Sequence, residues 1–258
     1  MLVELWQQRR HLGMPAPRLE DVGFGAYSAN DEDGILLHLF DRIGTTNKVV
    51  LDIGSGLPHG ANSTNLIVNW RWTGVLVEGD PSHAEAAGAW FSAHPQLPWP
   101  PTIVQMWVDP ATIDAELGER GITGEIDLLL IDIDSVDLWL WRRLAVVRPR
   151  VVVVEYSHFW GPEASVSVPE DMAAGPGRPI DPHYCSASLA AFVKVGREKG
   201  YRLVGVSARR FNAFFVRDDI AEDELPEITP ESAFDPPRTL NGVPSWAAEG
   251  LPGHWVNV

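Results

Sequence analysis

Acidic residues and glycines recur in this chain at the ends of short apolar runs, a spacing that can build a ligand site. The runs close in Asp52-Ile53-Gly54-Ser55-Gly56, Glu78-Gly79-Asp80, Val108-Asp109, Asp132-Ile133-Asp134 and Glu155, and His158 follows the last of them. Glycine after a strand lets the backbone approach a ligand with no Cβ in the way, and an acid closing the next strand can accept hydrogen bonds from ribose hydroxyls. Gly54, Gly56 and Glu78 together therefore suit a nucleoside, with Ser55, Gly79 and Asp80 beside them.

The dinucleotide pattern G-x-G-x-x-G would need glycine at position 59, where this chain has His59, and Asp52 would oppose a pyrophosphate. A sulfonium and an α-ammonium would instead be attracted. Both differences favour S-adenosylmethionine over NAD.

Asp132 and Asp134 stand at alternate positions, hence on one side of the chain, with Glu155 on the next strand. Three carboxylates of this kind suit Mg²⁺ or Ca²⁺, and such an ion would lower the pKa of a bound hydroxyl. In the alternative reading Asp132 touches the cofactor's amine and Asp134 caps the next helix. An imidazole ordinarily titrates near neutrality, and His158 is the candidate general base beside Asp134, with His183 in reserve. Asp109, after Val108, reads equally as an acceptor for an adenine amino group and as the N-cap of the helix that follows Pro110. Trp139, Trp141 and Trp160 fall near this face and would suit a flat or apolar acceptor, whereas Trp70, Trp72 and Trp90 read as core.

The elements that must hold these residues can be read from periodicity. From Asp33, the apolar Ile35, Leu36, Leu39, Phe40 and Ile43 recur at helical spacing. Strands are expected over 48–53, 74–78, 102–108, 126–131 and 151–154, and helices over 63–70 (with Ser63 as N-cap), 82–94, 111–120 and 138–146. The strands are apolar throughout rather than alternating, so both faces are covered, as in a parallel sheet between helix layers. A Pro- and Gly-rich stretch over 157–182 lacks periodicity and reads as a lid loop. Beyond it come a helix over 186–199 closed by Gly200, and strands over 201–206 and 212–216 that are close enough to pair antiparallel. The tail from Asp218 is acidic, then proline-rich, with Trp246 and Trp255 as isolated anchors.

Composition narrows the function classes. Twenty Lys plus Arg against thirty-five Asp plus Glu leave a net charge of −15, which repels polyanions, so nucleic acid is not an expected partner. The single cysteine, Cys185, cannot form an internal disulfide, and the first residues lack the apolar core of a signal peptide, which points to a cytoplasmic protein. No apolar run approaches the roughly 20 residues that span a bilayer, so no membrane is expected. A homo-oligomer is compatible with the chain, and no motif specifies one.

Residues 49–56 resemble the first motif of class I S-adenosylmethionine-dependent methyltransferases, and 75–80 resemble their second. The final strand pair resembles the antiparallel end of that fold. The resemblance covers about residues 30–217 and departs from the family at Pro58, where many members carry a third glycine. It implies an α/β, Rossmann-like fold: a mostly parallel seven-stranded sheet with an antiparallel last strand and helices on both faces. One domain over 1–258 follows, comprising an N-terminal cap segment 1–34, a core 35–217 with the lid loop 157–183, and a C-terminal tail 218–258. More narrowly, Asn30-Asp31-Glu32-Asp33-Gly34-Ile35-Leu36 with Ile131-Asp132-Ile133-Asp134 resembles the FkbM-type enzymes. That resemblance implies methylation of a hydroxyl on a sugar or secondary metabolite, with the N-terminal acidic segment folded over the cofactor and substrate. A nicotinamide-dependent oxidoreductase and a non-catalytic binding protein of the same fold are the competing readings.

Overall fold

Seven strands build the central sheet, ordered β3-β2-β1-β4-β5-β8-β7 in a computed structural model that describes residues 2–173, 175–176, 181, 183–235, 239–240, 243–244 and 251–258. They are β1 (Val49–Ile53), β2 (Thr73–Glu78), β3 (Thr102–Gln105), β4 (Gly124–Ile131), β5 (Val147–Glu155), β7 (Tyr201–Val206) and β8 (Asn212–Arg217). The first five run parallel, while β8 is antiparallel to both β5 and β7. Two further ladders are short: β6 (Val166–Ser167) pairs with β11 (Val256–Asn257), and β9 (Thr239–Leu240) with β10 (Val243–Pro244).

Among the described residues eight α-helices surround the sheet: α1 (Leu2–His11), α2 (Glu32–Ile43), α3 (Thr64–Trp70), α4 (Pro81–Ala93), α5 (Ile113–Glu119), α6 (Asp137–Arg143), α7 (Leu189–Glu198) and the single turn α8 (Pro230–Ala233). The unbroken valine run of β5 is explained by two helix layers. Val152 and Val154 join one apolar cluster with Leu117 of α5, Trp141 of α6 and Phe192 of α7, while Val151 and Val153 face the other with Leu36 of α2, Leu66 of α3 and Phe91 of α4. Each fully buried Val or Leu is worth about 1.5–3 kcal/mol, so the sheet is held from both sides. Local chemistry sets the helix ends. Asp80 caps α4, whose first residue is Pro81; Ser188 caps α7; and Gly44 and Gly200, at φ 64° and 80°, follow α2 and α7.

Several expectations need correction. Residues 2–11 form a helix, pinned by the buried Trp6 against His38, although their sequence shows no apolar stripe. Strand β3 stops at Gln105, short of the expected 108: the Met106 amide makes a last ladder bond to the Glu78 carbonyl, and the chain then leaves the sheet. Ser63 is no side-chain cap; its hydroxyl donates to Asp52 Oδ2 at 2.5 Å. Trp141 is core and not active face, whereas Trp70, expected in the core, is 38% exposed. Trp246 and parts of the 157–183 loop lie outside the described residues. Among the described residues no helix is long and apolar enough to cross a membrane.

Far from the strand ends discussed below, Asp127 and Arg150 form a buried ion pair at 2.7 Å. Asp127 also accepts the amides of Thr46, Asn47 and Lys48, and Arg150 donates to the carbonyls of Ile43 and Gly44. This knot ties the α2–β1 connection to β4 and β5, fixing the register from which β1 delivers Asp52.

Candidate active site

Sheet order reverses at β1, whose neighbours are β2 on one side and β4 on the other. A crevice opens at the carboxyl ends of strands at such a switch point. Here it is a cavity of about 390 Å³ lined on β1, β2 and their loops by Ile53, Gly54, Gly56, Glu78, Gly79 and Asp80, and on the far side by Trp107, Val108, Asp132, Ile133 and Asp134. A smaller cavity beside it is lined by Asp52, Gly54, Ser55, Asp132 and Asn212. Asp132 lines both.

The glycines are required by geometry. Gly54 sits at φ 86°, and a Cβ there would come within 1.8 Å of the Asp132 carbonyl oxygen, so only glycine lets the β1 loop lie against the β4 loop. Gly79 lies flat under the Trp107 ring, where a Cβ would meet the indole at 2.7 Å. Glu78 organises the floor: Oε2 accepts the Gly56 amide and Oε1 the Asp80 amide, both at 2.7 Å. Each carboxylate oxygen keeps a further lone pair for a ligand.

Asp52 and Ser55 are both buried, and Ser55 Oγ has no hydrogen-bond partner among the described residues. Burial pushes the Asp52 carboxyl up to about 6, against the Ser63 hydroxyl that favours its ionised form, and repulsion from Glu78 adds to the rise. Asp80 is held below the ordinary carboxylate range by the Ser82 hydroxyl and the Ser82 and His83 amides, so its carboxylate caps α4 although the residue lines the cavity. Asp109 is exposed, lines neither cavity, and accepts the Ala111 amide at 2.8 Å, which is its capping alternative.

Asp132, Asp134 and Glu155 come together, with ligand oxygens all within 4.8 Å of one another. Burial holds Asp132 and Glu155 well above the usual carboxylate range; repulsion from Asp137 and Asp134 adds to the rise of Asp132, repulsion from Asp132 and Asp134 to that of Glu155, and the two carboxyls hydrogen-bond to each other. Glu155 Oε2 has no partner among the described residues. Asp134 adopts φ 51°, a left-handed conformation that costs a non-glycine residue of order 1–3 kcal/mol and persists only where its surroundings impose it. The imposing group is Asp137, whose fully buried carboxylate accepts the Ile133 and Ser135 amides at 2.9 and 3.0 Å. Burial raises Asp137 to about 6. Asp134 thus does not cap the next helix; Asp137 takes the amides of that turn, a role that its spacing after Asp132 and Asp134 could have revealed.

His158 opens a 3₁₀ turn after β5, its ring centroid 4.3 Å from Phe159 and 5.4 Å from Phe211. It lines neither cavity. His183 contacts the other side of Phe159, at 5.5 Å. The acidic segment at the start of α2, Asp31 to Asp33, is spent on the protein itself. Asp33 Oδ2 accepts the amides of Ala26, Tyr27 and Ser28, Glu32 holds Asn212, and Asp31 accepts the Ala208 amide. These ties, with a bridge from Ser28 to Gly60, set the N-terminal segment beside the β1 loop.

No protein-family model matches the chain, and no curated protein matches it significantly. Solved structures do. The N-terminal domain of EvdMO1 with SAH bound is 15% identical over 83% of this chain and 94% of that one, with a TM-score of 0.46. The O-methyltransferase TomG from Streptomyces achromogenes, in complex with SAM, is 19% identical over 84% and 89%, with a TM-score of 0.44. The glycopeptide N-methyltransferase MtfA, complexed with SAH, is 14% identical over 76% and 93%, with a TM-score of 0.46. TomG and MtfA bear the names of an O- and an N-methyltransferase, and likeness of this degree shows the fold and carries no activity to this chain.

Proposed function

We propose that this protein is an S-adenosylmethionine-dependent methyltransferase that methylates a hydroxyl of a small metabolite. The observation that carries the reading is the 390 Å³ cavity at the switch point, which combines a glycine approach, the Glu78 carboxylate and an apolar slot made by Ile53, Val77, Met106, Trp107, Val108 and Ile133, with no Lys or Arg among the described residues that line it. The slot fits a purine, Glu78 fits ribose hydroxyls, and Asp52 and Asp132 fit an ammonium. Among the described residues a pyrophosphate would meet carboxylates and no Lys or Arg, which disfavours the oxidoreductase reading.

Bound there, S-adenosylmethionine would supply an electrophilic methyl on a sulfonium. The chain's own part is positioning and exclusion of water, which accounts for much of the acceleration in such a transfer. Asp132, Asp134 and Glu155 would hold a divalent cation such as Mg²⁺, which would acidify the acceptor hydroxyl. The fit is chemical: three oxygen donors in reach of one another, two of them raised above the usual carboxylate range by burial and by repulsion that a cation would relieve. His158 is the proposed proton acceptor, beyond Glu155 on the same segment. The working protein is one domain acting on a small hydroxylated acceptor in the cytoplasm, with nucleic acid and membranes not among its partners.

Calorimetry tests the reading. S-adenosylhomocysteine should bind with a micromolar Kd and NADH should not; binding of neither overturns it, and binding of NADH alone transfers it to the oxidoreductase class. Manganese binding followed by electron paramagnetic resonance, lost in Asp134→Ala, tests the cation site.

A further inference from the structure

Residues 251–258 belong to no layer of the sheet, yet they grip two loops at its active end. Strand β11 pairs with β6 through Val256 opposite Ser167 and Asn257 opposite Val166. The Val258 amide donates to the Ser165 carbonyl at 3.0 Å, and Ser165 Oγ and Lys194 Nζ both donate to the Val258 carbonyl. The His254 amide donates to the Tyr184 hydroxyl at 3.0 Å, and that hydroxyl donates to the His254 carbonyl at 2.8 Å. Trp255 packs edge-on against Trp160 at 5.0 Å and Tyr184 at 5.4 Å. Gly253, at φ 86°, lies so close to Tyr184 that a Cβ would stand 2.3 Å from the ring.

Both partners of this tail lead directly into the carboxylate centre. Trp160 ends the 3₁₀ turn that follows β5 and Glu155. Tyr184 precedes Cys185 and Ser186, and Ser186 is the brace: left-handed at φ 59°, it donates from its amide to the Ser135 carbonyl at 2.7 Å and from Oγ to the Glu155 carbonyl at 2.8 Å. The Ser157 amide in turn donates to the Ala187 carbonyl at 2.8 Å, joining the two loops. For all these contacts the tail stays at the surface: none of its eight residues is buried, and Pro252, Gly253, His254 and Asn257 are exposed. Elements with so few buried contacts open well below the free energy of global unfolding.

We propose that residues 251–258 are a releasable clasp that holds together the two loops flanking the carboxylate centre, with Trp255 as its positioning residue, and that the acceptor enters when the clasp lets go. That an acceptor uses the opening rests on the methyltransferase reading; the clasp does not. The chain carries its own reporter, because its single cysteine, Cys185, is buried next to Tyr184. In the full-length protein, Trp255→Ala and Gly253→Ala should speed labelling of Cys185 by a thiol reagent at least tenfold and speed amide exchange over 157–168 and 183–188. Exchange in β1 and β4, and affinity for S-adenosylhomocysteine, should stay within twofold of wild type, as should every readout in Trp99→Ala, whose indole is 81% exposed. Labelling within twofold of wild type in both variants overturns the clasp, as does acceleration spread evenly over β1 and β4, which would make the tail part of the core. Failure of wild-type protein to bind S-adenosylhomocysteine would remove the acceptor role and leave the labelling result standing.

Discussion

Replacing Asp52 by Asn should make the ligand-free protein more stable while weakening its hold on the cofactor. The wild-type carboxyl is 3% exposed and raised from 3.8 to about 6 by burial, so the folded state prefers it protonated. Between those two values the folded protein binds more protons than the unfolded chain, so stability falls as pH rises through the window and levels off above about 6. At 1.36 kcal/mol per tenfold change in proton affinity, the ionised form withholds about 3 kcal/mol at pH 8 and only about 0.5 kcal/mol at pH 4. Asparagine imitates the neutral carboxyl and can still accept the Ser63 hydroxyl. Asp52→Asn should therefore match wild type within about 1 kcal/mol at pH 4 and exceed it by about 2–3 kcal/mol at pH 8, a rise in Tm of about 5–10 °C for a chain of this size. Thermal unfolding across pH measures the gap directly, since carboxylates common to both proteins cancel. Calorimetry at pH 8 should show S-adenosylhomocysteine binding about tenfold more weakly, through loss of the charge facing its ammonium. A gap that does not grow with pH, or a less stable variant at pH 8, would refute the assignment of Asp52 as a buried carboxylate awaiting a cationic ligand.

Three further outcomes follow from the same geometry. Glu78→Ala should cost about 2 kcal/mol of S-adenosylhomocysteine affinity, roughly thirtyfold, because the carboxylate both orders Gly56 and Asp80 and faces the ligand; calorimetry showing an unchanged Kd would remove its ribose role. Gly54→Ala places a Cβ 1.8 Å from the Asp132 carbonyl oxygen, so binding should be abolished and chemical denaturation should register a loss of at least about 2 kcal/mol. Arg150→Met leaves Asp127 buried without its cation and should destabilise the protein by about 3–5 kcal/mol, read from urea unfolding, with the affinity of the folded fraction unchanged because the pair lies away from the cavity.

Much of the scaffold was legible along the chain because its signals are local. The Val151 to Val154 run says that both faces of β5 are covered, Gly54 and Gly56 announce a close approach after β1, and Asn212 to Val216 after Tyr201 to Val206 announces an antiparallel pair. Helix α1 escaped because its one buried residue, Trp6, is paid no attention by a periodicity test that needs several. Asp109 could not be resolved between two readings, since a capping carboxylate and a ligand-facing one look alike until the direction of the following turn is known.

Sequence alone thus determined the order of the seven sheet strands along the chain, the helices α2 to α7 and the kinds of group at the strand ends, since burial periodicity and residue chemistry are carried by neighbours in the chain. Tertiary structure decided which of those groups meet. Asp132, Asp134 and Glu155 converge because β4 and β5 pair in register, Asp137 holds the turn between them, and Trp107 covers Gly79 from the loop after β3. The tail reaches Tyr184 across some seventy residues of chain. Contacts of that span depend on the folded path of the backbone, and no spacing in the sequence encodes them.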